Sequence, residues 1–192
     1  MMRLLIGITA TLVLVLTTLS AQAPTCRMCP ATYIGNDEIG AYLSRAQANN
    51  IIDQQVRSVD IGKSHVAIGI VHRTKLTAPG EVAEHDQVSE VYHIISGSAT
   101  LVTGPELVGA ERRPATNTNV RLLNGPGNNA KSIRDGVSHQ LKAGDVMVIP
   151  AGTGHWFTKI DDHITYLMVR VDPDKVAPLK DEAASKADLA KK

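Results

Sequence analysis

The sequence predicts an all-β domain with one short helix before its strands. Valine and isoleucine are frequent between residues 56 and 171, and both favour strands over helices. Short apolar runs in this part of the chain are separated by glycine and proline, which is typical of a β-sandwich or a small barrel. Aromatic residues make up only 3% of the chain, so valine, isoleucine, leucine and alanine must form the core. A chain of 192 residues has room for one such core.

Residues 1–23 are expected to be a secretory signal peptide outside this domain. Arg3 is followed by an apolar run over residues 4–19 and by the small residues of Ser20-Ala-Gln-Ala23. The run is short for a membrane span and has no charged flank after it. The alternative is an uncleaved N-terminal anchor. Cleavage would make the mature protein periplasmic or secreted, with no stable membrane anchor.

The charge balance argues against a nucleic-acid partner. The chain has 20 Lys and Arg and 19 Asp and Glu, and loss of Arg3 with the leader makes the two counts equal. Nucleic-acid binding needs a clustered basic excess, which the chain lacks.

In an oxidising compartment, Cys26 and Cys29 are most simply a local disulfide. A soft metal site is the alternative, although two thiols supply only half of a tetrahedral ligand set.

The pattern of residues divides the chain into four parts. After the leader, segment 24–50 carries a helix capped by Asn36-Asp37, with its apolar positions at helical spacing. A β-barrel is expected over 51–172, and a charged tail, at best a surface helix, over 173–192. The expected strands cover residues 55–61, 64–72, 90–95, 99–103, 146–150, 155–160 and 164–171.

Two connections within the barrel carry specific expectations. Ser96-Gly97-Ser98 is predicted to be a hairpin turn between two strands. Residues 104–136 are rich in Pro, Asn, Gly and Arg and form a long loop insertion, either a functional lid or a flexible excursion. Residues 120–123 are a candidate short edge strand within it.

Two glycine-bounded stretches, residues 80–97 and 144–155, are predicted to be the two halves of one metal site. Each places imidazole or carboxylate groups at the end of a short apolar strand. His85, Glu90 and His155 would together make a set of two histidines and one carboxylate. Such a set suits Fe(II), Mn(II), Zn(II) or Ni(II).

These stretches resemble the paired signature motifs of the cupin superfamily. The first motif is matched in spacing by His85, Glu90 and Gly97, and the second by Gly144, Pro150, Gly152 and His155. The chain is therefore similar to a small, single-domain exported cupin. The resemblance implies a double-stranded β-helix (a jelly-roll barrel) that holds a divalent metal ion as its cofactor and binds a small molecule.

The sequence departs from the cupin pattern at two positions. Ala83 stands where the first motif has its first histidine, and Lys159 stands where the second motif is followed by asparagine. Three ligands remain, which is enough for a catalytic ion with open coordination positions. Gln87 is a candidate additional ligand, and Glu81 or Glu84 would be a stronger oxygen donor. The spacing does not choose among them.

Strand alternation assigns the neighbouring residues to faces. Glu90 shares the inward face with Tyr92, and both are candidate catalytic residues for proton transfer. A rim salt bridge for Glu90 and core packing for Tyr92 are the alternatives. His93 points the other way and is excluded from the site. The remaining histidines are expected to be structural or exposed, with His72 the best candidate among them for lining the pocket.

Three functions are compatible with this site. The first is an exported metalloenzyme that acts on a small oxygen-bearing molecule, as a dioxygenase, isomerase, decarboxylase or lyase. The second is a periplasmic protein that binds a small molecule or a metal without turnover, and the third is a metal-free structural barrel. The apolar outer sheet suggests a homodimer in each case.

Overall fold

The computed structural model describes residues 31–191, and the predicted all-β class is confirmed in this part of the chain. The strands are β1 (Asp53–Asp60), β2 (His65–Thr74), β3 (Val82–His85), β4 (Ser89–Gly104), β5 (Leu107–Val108), β6 (Glu111–Arg112), β7 (Gly127–Ala130), β8 (Ser132–Ile133), β9 (Val137–Lys142), β10 (Val146–Ile149) and β11 (Gly154–Asp172). The helices are α1 (Asn36–Asn49), a π-helix (Val120–Asn124) and α2 (Glu182–Leu189). The expected signal peptide and the Cys26–Cys29 pair lie outside the described residues. Within residues 31–191, no helix is long and apolar enough to cross a membrane.

Two long strands, β4 and β11, organise the barrel. They pair antiparallel along their whole length, from Gly154 opposite Gly104 to Val171 opposite Ser89. The first half of β4 also pairs with β10 and its second half with β9. The second half of β11 pairs with β2, while its start pairs with β3. Both strands therefore belong to two groups of neighbours, β1-β2-β11-β4-β10 and β6-β7-β3-β11-β4-β9, which form a jelly-roll barrel.

The expected hairpin at residues 96–98 is wrong, and so is the expected break between residues 160 and 164. The chain does not reverse at either place, because both lie inside the continuous strands β4 and β11. The register between the strands shifts at Ile160/Ile164 and again at Thr165/Tyr166. Gly97 has a φ of 80° and lies opposite Ile164. The turn-forming residues thus produce bulges that bend two long strands.

The two α-helices pack together on the outside of β1 and β2. The predicted helix α1 is present, although Gly35 rather than Asn36 is its N-cap. Tyr42 of α1 is fully buried with Val56 and Ile70 of the sheet. The Tyr42 hydroxyl donates to the carbonyl of Ser185 in α2 at 3.1 Å. The C-terminal segment is therefore a docked helix rather than a free surface tail.

The insertion at residues 104–136 has regular structure. Four short strands, β5 to β8, lie in it, and β7 extends the main sheet by pairing with β3. The candidate edge strand at residues 120–123 is wrong, because Val120–Asn124 forms a π-helix. The insertion is thereby held against the barrel at the edge where β3 lies.

The outer face of β10 and β4 is apolar and uncovered in the described chain. Val146 and Val148 are each 62% exposed, and they pair in register with His93 and Val91 of β4. This face supports the homodimer expected from the sequence, which stays a prediction.

We expect Gly97→Ala to destabilise the barrel by about 3 kcal/mol or more, because a Cβ at this position would collide with the carbonyl oxygen of His163. Gly144→Ala is the matched control, since Gly144 also has a positive φ but a Cβ there would meet no described atom within 4 Å. It should cost only about 1 kcal/mol, for backbone conformation alone. Urea unfolding measures both. Equal losses in the two variants would contradict the close approach of β4 and β11 at Gly97.

Candidate metal centre

Three strands bring the predicted ligands to one point inside the barrel. His85 ends β3, Glu90 is the second residue of β4 and His155 is the second residue of β11. One ligand atom of each residue lies within 4.8 Å of the other two. Nε2 of His85 is 3.4 Å from Oε1 of Glu90, and Nε2 of His155 is 3.6 Å from Oε2. All three side chains are buried.

The local backbone explains why the two motifs meet. The N–H of Gly152 donates to the carbonyl of His85 at 2.7 Å, so the turn before β11 is tied to the end of β3. Gly152 has a φ of 76°, a left-handed conformation that glycine adopts without strain. Ala83 of β3 pairs in register with His155. The two histidine rings consequently lie with their centroids 5.1 Å apart.

Glu90 is a buried carboxylate with a positively charged partner. Its Oε1 accepts from Nε of Arg170 at 3.3 Å, and its Oε2 accepts from the Tyr92 hydroxyl at 2.7 Å. Arg170, which is 1% exposed, also donates to Asp53 and, at 3.5 Å, to Gln55. A buried carboxylate is costly unless it is paired. Arg170 supplies that pairing to Glu90.

These contacts determine the protonation states of the site. Burial raises the pKa of the Glu90 carboxyl, but the neighbouring His85 and Arg170 outweigh burial and hold this pKa well below its usual range. Burial lowers the pKa of His155 to about 4. Burial and the adjacent Glu90 raise the pKa of Tyr92 well above its usual value. At neutral pH the site therefore contains an ionised Glu90, a neutral His155 and a protonated Tyr92.

The two histidines differ in how their second ring nitrogen is used. Nδ1 of His155 lies 3.2 Å from the carbonyl of Thr153, so it donates there and leaves a lone pair on Nε2. Nδ1 of His85 lies 2.9 Å from a guanidinium nitrogen of Arg113. Because a guanidinium only donates, this Nδ1 is an acceptor, and the proton of the ring lies on Nε2, facing Glu90. To bind an ion through Nε2, His85 must shift this proton to Nδ1 and lose the bond from Arg113.

The donor set nevertheless fits a divalent first-row ion. Two imidazoles and one carboxylate are a common set for such ions. Glu90 and Asp53 share the single positive charge of Arg170, so one negative charge remains to attract a cation. Ala83, at the position where cupins place a further histidine, has no donor atom. That side of the cluster is left to water or a ligand.

The cluster forms part of the wall of a cavity of about 650 Å³, which is large enough for a small organic molecule. Apolar and aromatic side chains line one part of this cavity, among them Val71, Tyr92, Tyr166 and Met168. The rest of the lining is polar and includes five asparagines and the side chains of Arg73 and Arg113. The cavity can therefore orient a polar ligand beside the cluster.

The candidate additional ligands do not join the cluster in the described structure. Gln87 lies in the turn between β3 and β4, outside the cavity lining. The Glu84 carboxylate accepts from the backbone and side-chain amides of Asn128, at 3.1 and 2.7 Å. Glu81 reaches the cavity but is exposed, and it accepts from Asn129 at 3.1 Å. None of the three stands beside the proposed ligands.

The other histidines lie away from the cluster. His93 is exposed on the outer face of β4, as strand alternation predicts. The expectation that His72 lines the pocket is wrong, because its Nδ1 bonds to Oγ1 of Thr165 at 2.8 Å and the ring is outside the cavity lining. The remaining three bond to other groups and are His65, His139 and His163.

Sequence reasoning missed the three arginines around the cluster. Arg170 had a detectable signal, because it shares the inward parity of Tyr166 and Met168 in an apolar strand, where a charge needs a partner. Arg73 stands near the end of β2 with no such pattern. Arg113 lies in the irregular insertion, where no periodicity predicts its direction.

The fold and the buried cluster define a β-barrel protein with a candidate metal centre. No model of a protein family matches this sequence, and no curated protein matches it. Among solved structures, BH2720 from Bacillus halodurans is 12% identical at a TM-score of 0.44, over 83% of this chain and 97% of that chain. A cupin protein from Bacteroides fragilis, BF4112, is 19% identical at a TM-score of 0.35, over 60% of this chain and 72% of that chain. Oxalate decarboxylase from Lactobacillus farciminis is 18% identical at a TM-score of 0.39, over 63% of this chain and 28% of that chain. These similarities are too distant to transfer an activity to this chain.

We expect Arg170→Met to destabilise the protein by about 3–5 kcal/mol, because it leaves the buried Glu90 carboxylate without a cation. Arg112→Met is the matched control, since Arg112 makes an exposed ion pair with Asp86 at 2.5 Å. An exposed pair of this kind contributes about 1 kcal/mol or less. Urea unfolding of the chelator-treated protein measures both losses. A loss for Arg170→Met as small as that of the control would show that Glu90 does not depend on this pairing.

Lowering the pH from 7 to 4 should destabilise the chelator-treated protein, in part through His155. The pKa of His155 is about 4 in the folded protein against an ordinary value of 6.5, so between these values the unfolded chain binds more protons. Stability is therefore lost as the pH falls through this window, by at most about 3 kcal/mol from this residue. We expect the unfolding free energy of His155→Gln to depend less steeply on pH. His93→Gln controls for the loss of a histidine as such, and an unchanged slope in His155→Gln would contradict a buried neutral ring.

Proposed function

We propose that this protein is a metal-binding cupin in which His85, Glu90 and His155 hold one divalent ion of iron, manganese, zinc or nickel. The observation that carries the proposal is the convergence of these three buried donors, from three strands, on the wall of a cavity. Ionised Glu90 and the free lone pair on Nε2 of His155 are the states that a cation requires.

We further propose that the site acts on a small oxygen-bearing molecule, in a reaction of the dioxygenase, isomerase, decarboxylase or lyase type. A bound ion would supply Lewis acidity or, for a redox-active metal, activation of oxygen. The chain itself supplies the rest. Ionised Glu90 can accept a proton from the ligand, while Tyr92, whose hydroxyl donates to Oε2, orients that carboxylate.

Export is part of the same proposal and rests on residues 1–23 alone. The charged start, apolar centre and small residues at its end support cleavage by a signal peptidase. Mass spectrometry of the protein from a periplasmic or culture fraction would find an N-terminus between residues 21 and 24. Recovery of the intact leader on the mature protein would instead support an uncleaved anchor.

A metal-free barrel is the second candidate, and a specific observation favours it. Arg170 and Tyr92 already satisfy the Glu90 carboxylate, and Arg113 occupies Nδ1 of His85. The cluster is thus internally bonded without an ion. A binding protein without turnover is the remaining alternative, and it would use the same cavity.

We expect purified wild-type protein to bind about one equivalent of Mn²⁺, Fe²⁺, Zn²⁺ or Ni²⁺ after chelator treatment and reloading. At an ion concentration near 100 times the dissociation constant, this binding stabilises the fold by about 2.7 kcal/mol. His85→Ala and His155→Ala should lose both the ion and the stabilisation. The matched control His93→Ala, on the outer face, should keep both. Elemental analysis and thermal unfolding are the measurements.

Two outcomes separate the alternatives. If wild-type protein retains no ion and gains no stability from any of the four metal ions, the protein is a metal-free barrel with a structural role. Protein that binds an ion and a small molecule but converts none would be a binding protein, and Glu90→Gln would then only weaken binding.

A further inference from the structure

The cavity beside the cluster contains two arginines without a carboxylate partner among the described residues. Arg73 and Arg113 both line it. Neither side chain makes an ion pair within residues 31–191, although most other buried or half-buried arginines there are paired with acidic groups. A buried cation without an anion is costly, so an unpaired pair in one cavity indicates a negatively charged ligand.

Arg113 is almost fully buried and only partly bonded. It is 9% exposed, and its guanidinium donates to the carbonyl of Glu84 and to Nδ1 of His85. Its Nε is buried with no hydrogen-bond partner in the described structure. The Glu84 carboxylate forms no ion pair with this guanidinium and instead accepts from the amide groups of Asn128. Arg113 therefore has both charge and donor capacity available.

Arg73 lies near the end of β2 on the aromatic side of the cavity. Its guanidinium carbon is 5.0 Å from the centroid of the Phe157 ring, and its Nε donates weakly to the Tyr166 hydroxyl at 3.5 Å. Stacking on an aromatic ring leaves the edge of a guanidinium free to donate. That edge is the part of the side chain that binds a planar carboxylate through two parallel bonds.

The carboxylates of the cavity lining form no ion pair with Arg73 or Arg113 in the described structure. Asp53, which is half-buried, and Glu90, which is buried, are both bonded to Arg170. Glu81, the third acidic residue of the lining, is exposed and bonded to Asn129. The guanidinium groups of Arg73 and Arg113 are therefore left without an ion pair in the described structure, and a divalent ion would add further positive charge beside them. An anionic ligand would compensate it.

We propose that the ligand of this cavity is a small carboxylic acid whose carboxylate is bound by Arg113 and Arg73. This inference rests on the function proposed above, since it names the ligand class of the same site. The planar guanidinium groups would hold the acid, with the aromatic side chains of the cavity contacting its apolar part. Neutral molecules of the same shape would lack these contacts.

The test uses calorimetric titration of the full chain with benzoate and succinate, and with benzamide and succinamide as neutral counterparts. Each titration is made on chelator-treated protein and on Mn²⁺-loaded protein, with metal content measured on the same samples. The chelator-treated arm excludes binding that arises only from chelation of the ion. We expect at least one carboxylate to bind about 10-fold or more tightly than its amide in both arms, as is typical of a charge-assisted hydrogen bond.

The variants Arg113→Gln and Arg73→Gln should each weaken carboxylate binding by about 10-fold or more. Arg112→Gln is the matched control, because it removes the same charge from the neighbouring residue, which is exposed and paired with Asp86. It should change binding by no more than about twofold, since surface charges are screened. Arg113→Lys keeps the charge without the planar donors and should recover only part of the loss. If Arg113→Gln fails to fold by circular dichroism, Arg73→Gln carries the comparison.

Three outcomes would overturn the proposal: no carboxylate binds, the amides bind as tightly, or Arg112→Gln weakens binding as much as the cavity variants. The metal measurement keeps the two proposals apart. Protein that binds carboxylate through the arginines but holds no ion refutes the metal proposal alone. If the protein binds an ion but binds no carboxylate after chelator treatment, this inference alone is refuted.

Discussion

The pairing of Glu90 with Arg170 is the interaction on which the site depends. Glu90 is enclosed by the barrel, where an isolated negative charge would be expelled or neutralised. Arg170 prevents this by lying between Glu90 and Asp53, and Tyr92 completes the hydrogen bonding of the carboxylate. The carboxylates of Glu90 and Asp53 share the one positive charge of Arg170, so a residual negative charge remains where the two imidazoles converge. The fold thereby keeps a carboxylate ionised in a place suited to a cation.

The two long strands make this arrangement geometrically possible. β4 supplies Glu90 and Tyr92, β11 supplies His155 and Arg170, and the two strands pair from end to end. In register, Arg170 lies opposite Glu90. His155 reaches the same point from the other end of β11 because the strands bend at their bulges. The glycine at position 97 permits the close approach of the strands there, so a backbone requirement far from the cluster supports its shape.

The insertion between β4 and β9 changes the character of the cavity. Its strand β7 pairs with β3, which ends at His85, and Arg113 reaches Nδ1 of that histidine. The same guanidinium cannot bond to Nδ1 once this nitrogen carries a proton. Occupation of the cluster by an ion and release of Arg113 into the cavity are therefore linked by simple hydrogen-bond chemistry. A segment that has the composition of a loop thus supplies a polar wall of the site.

The sequence by itself determined the strand-rich class, the helix α1 and the residues His85, Glu90 and His155, because strand alternation and motif spacing are local properties of the chain. It did not determine whether Ser96-Gly97-Ser98 reverses the chain or bends it, since the same residues permit a turn and a bulge. The sequence also did not predict where the side chains of Arg73 and Arg113 lie. Their neighbours, Phe157 and His85, are distant in sequence, and only packing decides which side chains a long, flexible guanidinium meets. The tertiary structure therefore decided the electrostatics of the cavity.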